Sequence, residues 1–200
     1  IPVQASVTWP DGWQAAGALR GKAAGTTVTY EATDYETLID SPMFAGKYFG
    51  RVDLGGNVML NMVADSKEEL AGTPEQVNAH KKLVAEAVAL FGARHFDRYD
   101  FLLAISDEMG GIGLEHHRSS ENGVDTGYFT KWNDGPADRN LLPHELVHSW
   151  NGKFRRPEML WTPDYRQPMR DSLLWVYEGQ TQFWGWVLAA RSGVQTRDTV

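Results

Sequence analysis

Two hundred residues with 42% hydrophobic content suffice for one sizeable core, or one domain with part of a second. A net charge of −7, with basic runs no longer than Lys81-Lys82 or Arg155-Arg156, leaves no electrostatic footprint for nucleic acid, and no apolar run approaches the length that crosses a bilayer. The absence of cysteine excludes disulfides and thiolate metal sites, so any metal must be held by histidine and carboxylate.

The chain opens on Ile1-Pro2-Val3, without an initiator methionine or a leader, and reads as an excised or processed segment. As far as about Asp65, short alternating runs broken by Gly and Asp-Ser-Pro predict strands over 26–30, 48–54 and 58–63. Residues 1–66 are therefore expected to be the end of an N-terminal β domain, with a second domain over 67–200. Thr73-Pro74-Glu75-Gln76 combines a capping box with Pro at the first helical position, and predicts a helix to about His95. Its stripe of Val77, Leu83, Val84, Val88 and Phe91 is ordinary packing against a sheet.

Residues 99–105 are apolar on both faces after Asp100, the pattern of a strand covered on both sides. They lead into Gly110-Gly111-Ile112-Gly113-Leu114-Glu115-His116-His117. A dinucleotide-binding loop would need its third glycine at His116 and a helix after it, and has neither. The better reading is an edge strand in which Gly110, Gly111 and Gly113 let a peptide lie close and pair with the main chain.

The decisive feature is His144-Glu145-Leu146-Val147-His148, in a helix expected over 141–151, with Asn140 or Asp138 as cap and Pro143 in the first turn. An offset of four residues is about 1.1 turns, so both imidazoles project from one face and can share one Zn²⁺. Glu145, about 100° around the helix, is placed to reach a water beside the metal. A long connection with three prolines runs over 153–170. The last strong helix, over 172–191, is apolar almost all round and is expected to be central. A catalytic zinc site normally has three protein ligands plus water. Glu178 stands inside that apolar helix, where an unpaired carboxylate is costly, and is the expected third ligand. The competing expectation is a buried ion pair with Arg155 or Arg156. Gly179 beside it is expected to admit a closely approaching backbone.

His144-Glu-Leu-Val-His-Ser-Trp-Asn151 followed by Leu174-Trp-Val-Tyr-Glu178-Gly-Gln resembles the zinc site of gluzincin peptidases. The stretch from Gly110 to Gly185, with Ser-Ser-Glu-Asn-Gly123 and Trp161-Thr-Pro-Asp-Tyr165, resembles the glycyl aminopeptidases, the sixty-first metallopeptidase family, and a weaker likeness runs upstream through Tyr35 to Gly46. The resemblance implies an α+β fold, a thermolysin-like catalytic domain preceded by the end of a β-sheet domain. It implies one zinc ion on His144, His148 and Glu178, with Glu145 as the base. It also implies comparison with aminopeptidase N, where a glycine-rich strand ends in a substrate-binding glutamate that Glu115 matches by motif. The interval Ser149–Tyr177 between His148 and Glu178 is longer than in aminopeptidase N relatives, which favours the glycyl family.

A carboxylate at Glu115 can pair with a substrate's α-ammonium and set the first peptide bond over the metal. The expected function is thus a zinc-dependent aminopeptidase acting on peptides, with Gly or Ala favoured by resemblance alone. The alternatives are a zinc endopeptidase and a non-catalytic peptide-binding fragment of such an enzyme. Tyr128, Tyr165, His116 and His117 are the candidates for the oxyanion donor. The tyrosine used by aminopeptidase N relatives lies well beyond the glutamate ligand, and only residues 179–200 follow Glu178, so the segment is expected to be truncated on its C-terminal side. A bacterial envelope or secreted location is implied by resemblance only, and oligomeric state has no signature in the sequence.

Overall fold

The computed structural model describes residues 1–109, 111–134, 139–164 and 166–196. The N-terminal part builds small antiparallel sheets from β1 (Pro2–Val3), β2 (Ser6–Thr8), β3 (Gln14–Gly17), β4 (Gly21–Ala24), β5 (Thr27–Tyr30), β6 (Thr33–Asp34) and β7 (Met43–Gly46). The pairings are β1 with β6, β5 with both β2 and β4, and β3 with β7. A short helix, α1 (Tyr35–Ile39), is capped by the Asp34 carboxylate, which accepts from the Thr37 amide.

The main sheet has five strands: β8 (Tyr48–Gly55), β9 (Val58–Ala64), β10 (Tyr99–Ile105), β11 (Ile112–Glu115) and β12 (Ser119–Val124), in the order β11-β12-β10-β9-β8. β10 runs parallel to both neighbours, while the outer strands β11 and β8 are antiparallel to theirs. The sheet thus draws strands from both sides of position 66. β10 is buried along its whole length, as its unbroken apolar pattern demands.

Helix α2 (Pro74–Phe91) makes the crossover from β9 to β10. Its capping box forms as the sequence predicts, and it stops at Phe91, short of His95, because Gly92 turns the chain into the left-handed region at φ 74°. Leu83 of this helix joins Tyr99, Phe101, Leu103 and Ile105 in one core with Leu142, Leu146 and Leu188 from the two helices that carry the site.

Those helices are α3 (Leu141–His148) and α4 (Thr181–Ser192). α3 ends at His148, with Ser149 to Asn151 held in a turn, and its cap residue Asn140 makes no side-chain cap bond; Asp138 lies outside the described residues. α4 is preceded by a π-helical turn, Trp175–Gln180, that carries Glu178. The expectation of a helix buried all round is corrected here. Trp175 is 71% exposed and Phe183 59% exposed, and the buried side is the small-residue face Thr181, Gly185, Leu188, Ala189 and Ser192. Small residues win the inward positions because α4 crosses α3 at backbone contact. A Cβ on Gly185 would lie 3.1 Å from His144 Cα and 3.2 Å from His144 N, so the glycine is what brings the two helices together at the histidine.

Candidate metal centre and active site

His144 and His148 project from one face of α3 and meet Glu178 from the π-helical turn. The two Nε2 atoms are 3.0 Å apart, and Glu178 Oε2 is 3.4 Å from each. Ligand atoms at about 2.0–2.1 Å from one tetrahedral ion stand about 3.3 Å from each other, so this triangle has the size of a zinc face. The rings are already in the required tautomer. His144 Nδ1 donates to Gln182 Oε1 at 2.7 Å, and His148 Nδ1 donates to the Asn151 carbonyl at 3.1 Å. With each Nδ1 holding the proton, both Nε2 atoms present lone pairs to each other and to a carboxylate oxygen, an arrangement that a cation relieves.

Asn151 joins the two halves of the site. Its backbone carbonyl accepts from His148, and its side-chain amide donates to the carbonyls of Val176 and Tyr177 and to Thr181 Oγ1, which ties the π-helical turn to the end of α3. π-helical turns concentrate at functional sites because the extra residue per turn re-aims a side chain. Glu178 is half exposed rather than buried in an apolar helix, and its carboxylate faces His144 and His148, with neither Arg155 nor Arg156 paired to it among the described residues. Gly179 faces open space, which corrects the expectation of a neighbouring backbone there.

Glu145 sits beside the triangle, 3% exposed, and its Oε2 has no hydrogen-bond partner among the described residues. Burial, followed by the charges of Glu115 and Glu178, pushes its carboxyl up to about 8. Such a group keeps a proton that the unfolded chain releases above its ordinary 4.5. Stability present below that value is therefore lost as the pH rises toward 8, by on the order of a few kcal/mol. Melting of the metal-free protein across this window is expected to fall more steeply than that of Glu145→Gln. Parallel curves would contradict the assignment of the effect to this carboxyl. A divalent cation next to Glu145 works in the opposite direction and favours the carboxylate.

The glycine-rich strand lies against this carboxylate. β11 is the exposed edge of the main sheet, as read from the sequence, and it packs on α3. A Cβ on Gly113 would collide with Glu145 Oε1 and lie 2.7 Å from Leu141 Cδ1, so Gly113 is required by the protein's own helix. Gly111 has open space, and Gly110 lies outside the described residues. Gly113→Ala is expected to displace Glu145 and lower hydrolysis by about tenfold or more, since a shift of about 1 Å at a catalytic group has effects up to about a hundredfold. Steady-state rates of that variant beside Gly111→Ala, which meets nothing, provide the check.

Glu115, the last residue of β11, lies beside Glu145 and His148. Ligand atoms of Glu115, Glu145 and His148 all lie within 4.8 Å of one another. The Tyr177 hydroxyl donates to Glu115 Oε1. Burial works to raise the Glu115 carboxyl, but the Tyr177 bond and the nearby His148 outweigh it and hold it below its ordinary value. Tyr177 was not visible as a site residue in the sequence, where it reads as one more aromatic of an apolar helix; its position next to Glu178 was the available signal.

Just behind Glu115, His116 and His117 are held by Asp40 of the N-terminal part. The Asp40 carboxylate accepts from His116 Nδ1 at 3.1 Å, His117 Nδ1 at 2.7 Å and the His117 amide at 2.9 Å, with the Lys153 ammonium 3.6 Å away. Of the candidate oxyanion donors, Tyr128 is buried with its hydroxyl on His80 Nε2 at 2.8 Å, and both histidines are committed to Asp40. Tyr165 lies outside the described residues.

The M61 glycyl aminopeptidase model matches residues 137–200, which carry the His-Glu-x-x-His helix and Glu178, and the peptidase M61 N-terminal domain model matches residues 1–47. The chain belongs to the M61 glycyl aminopeptidase family. No curated protein matched this M61 chain. Among solved structures it is similar to an aminopeptidase N family protein from Idiomarina loihiensis, with TM-score 0.77 and 23% identity over 97% of this chain and 35% of that one. It is also similar to yeast LTA4 hydrolase in complex with bestatin, with TM-score 0.59 and 15% identity over 94% of this chain and 27% of that one. Native leukotriene A4 hydrolase from Saccharomyces cerevisiae matches at TM-score 0.58 and 15% identity, over 94% of this chain and 26% of that one. These likenesses establish the α+β fold. The M61 chain spans about a third of the length of the first of these structures and about a quarter of the other two.

Proposed function

We propose that this chain carries the catalytic core of a zinc-dependent aminopeptidase that hydrolyses the N-terminal peptide bond of peptides, with small residues such as Gly or Ala favoured. The single observation that carries the reading is the convergence of His144, His148 and Glu178 at ligand spacing beside the buried, unpartnered oxygen of Glu145. One zinc ion would be held by His144, His148 and Glu178, where it supplies Lewis-acid polarisation of the scissile carbonyl and acidifies a water. Glu145 takes the proton from the attacking water and returns it to the leaving amine. Glu115 receives the substrate's α-ammonium, and the free edge of β11 pairs with the substrate backbone. In this reading the N-terminal β domain over 1–66 and the catalytic domain over 67–200 meet in the main sheet, to which the former lends β8 and β9.

The pairing at Glu115 separates an aminopeptidase from an endopeptidase. With the full-length protein, alanyl and glycyl peptides with a free amine are expected to be cleaved, and their N-acetylated forms to lose at least about a hundredfold in kcat/KM, since acetylation leaves a partly buried carboxylate without its cation. Equal cleavage of both forms would give the reaction to an endopeptidase. Binding of peptides without turnover by the full-length protein would give it to neither.

A further inference from the structure

Glu115 has two oxygens, and the structure treats them differently. Oε1 accepts from the Tyr177 hydroxyl, whereas Oε2 has no side-chain donor among the described residues. Tyr177 is itself buried and tightly seated. Its ring stands 4.7 Å from the His148 ring. Gly152, at φ 150°, lies so close that a Cβ there would come within 3.0 Å of the phenol oxygen and ring carbons. The Tyr177 backbone carbonyl accepts from the Asn151 side-chain amide, and the Asn151 backbone carbonyl accepts from His148 Nδ1. The phenol that holds Glu115 and the carboxylate that faces the two histidines thus come from adjacent positions of one π-helical turn.

A donor-only contact on one carboxylate oxygen does two things. It takes up one lone pair of that oxygen, which makes it the poorer acceptor for a ligand's N–H groups, and it restrains the carboxylate's rotation. From this we propose that Tyr177 is the positioning residue of the amine anchor: it occupies Glu115 Oε1, leaves Oε2 as the acceptor for an incoming α-ammonium, and sets the distance from that ammonium to the metal triangle. The inference rests on the reading of Glu115 as the amine anchor. Tyr177 does not touch the reacting atoms; it acts through Glu115, and its effect is confined to ligands that carry the amine.

The test compares two metal-binding probes that differ only in that amine, alanine hydroxamate and propionohydroxamate, titrated calorimetrically into the zinc-loaded full-length protein. The wild-type protein is expected to favour alanine hydroxamate, and Tyr177→Phe to reduce that preference at least tenfold with propionohydroxamate affinity held within threefold. Should Tyr177→Phe fail to melt cooperatively, Tyr177→Leu takes its place with the same expected ratio. Glu115→Ala is expected to abolish the preference, and Tyr177→Phe added to it to change nothing more. An unchanged preference in the tyrosine variant, or an equal loss for both probes, overturns the positioning role and leaves the anchor standing. A preference that survives Glu115→Ala overturns the anchor and the positioning role together.

Discussion

Glu145→Gln in the full-length protein is expected to lower kcat for alanyl and glycyl arylamides by about 10²–10⁴-fold, the range for a lost general base, while bound zinc stays at the wild-type level. The amide has the shape of the carboxyl but cannot accept the water's proton. Retention of metal is expected because Glu145 stands beside the triangle formed by His144, His148 and Glu178 and is not one of its corners. The same substitution removes a carboxyl that burial and two neighbouring carboxylates hold against ionisation, so the metal-free variant is expected to be the more stable of the two near neutral pH. A variant that keeps full activity would falsify the role of Glu145. A variant that loses zinc would instead make Glu145 part of the ligand set.

His148→Ala is expected to be more damaging than its single lost ligand suggests. His148 is 1% exposed, and its Nδ1 proton rests on the Asn151 carbonyl, while the Asn151 amide holds the π-helical turn from which Glu178 reaches the site. Removing the ring opens a cavity beside Tyr177 and frees Asn151, so two corners of the triangle are weakened at once. Zinc retained after dialysis is expected to fall to background and arylamide hydrolysis with it. Asn151→Ala, which leaves all three ligands in place, is expected to lower zinc affinity by about 10–100-fold, the range for a group that orients a ligand. Equal zinc affinity in Asn151→Ala and the wild type would remove Asn151 from the account.

These expectations mark where sequence and structure part. The histidine pair followed from helical periodicity alone, since four residues place two side chains on one face whatever surrounds them. The strand over 99–105 was recognisable because double coverage leaves no room for polar positions, and the capping box of α2 because its bonds are local. An apolar helix implies a buried and costly carboxylate at Glu178, whereas the turn is half open and the carboxylate faces the two histidines across the metal triangle. Apolar composition does not distinguish a helix buried all round from one that leaves Trp175 and Phe183 outside. Gly113 reads in the sequence as a concession to a peptide ligand, and Gly185 carries no structural reading there. Both are concessions to α3, and the close approach of β11 and α4 that they permit is a tertiary fact with no local signal. Tyr177, Asn151 and Asp40 escaped for the same reason, because their partners lie far away in the chain.

The most direct measurement is zinc K-edge X-ray absorption of the reconstituted, dialysed chain. One retained zinc is expected, with two imidazole nitrogens at about 2.0–2.1 Å and a carboxylate oxygen completing the protein's share of the shell. A chain that retains no zinc, or a zinc shell without histidine, would contradict the triangle of His144, His148 and Glu178 on which the proposed function stands.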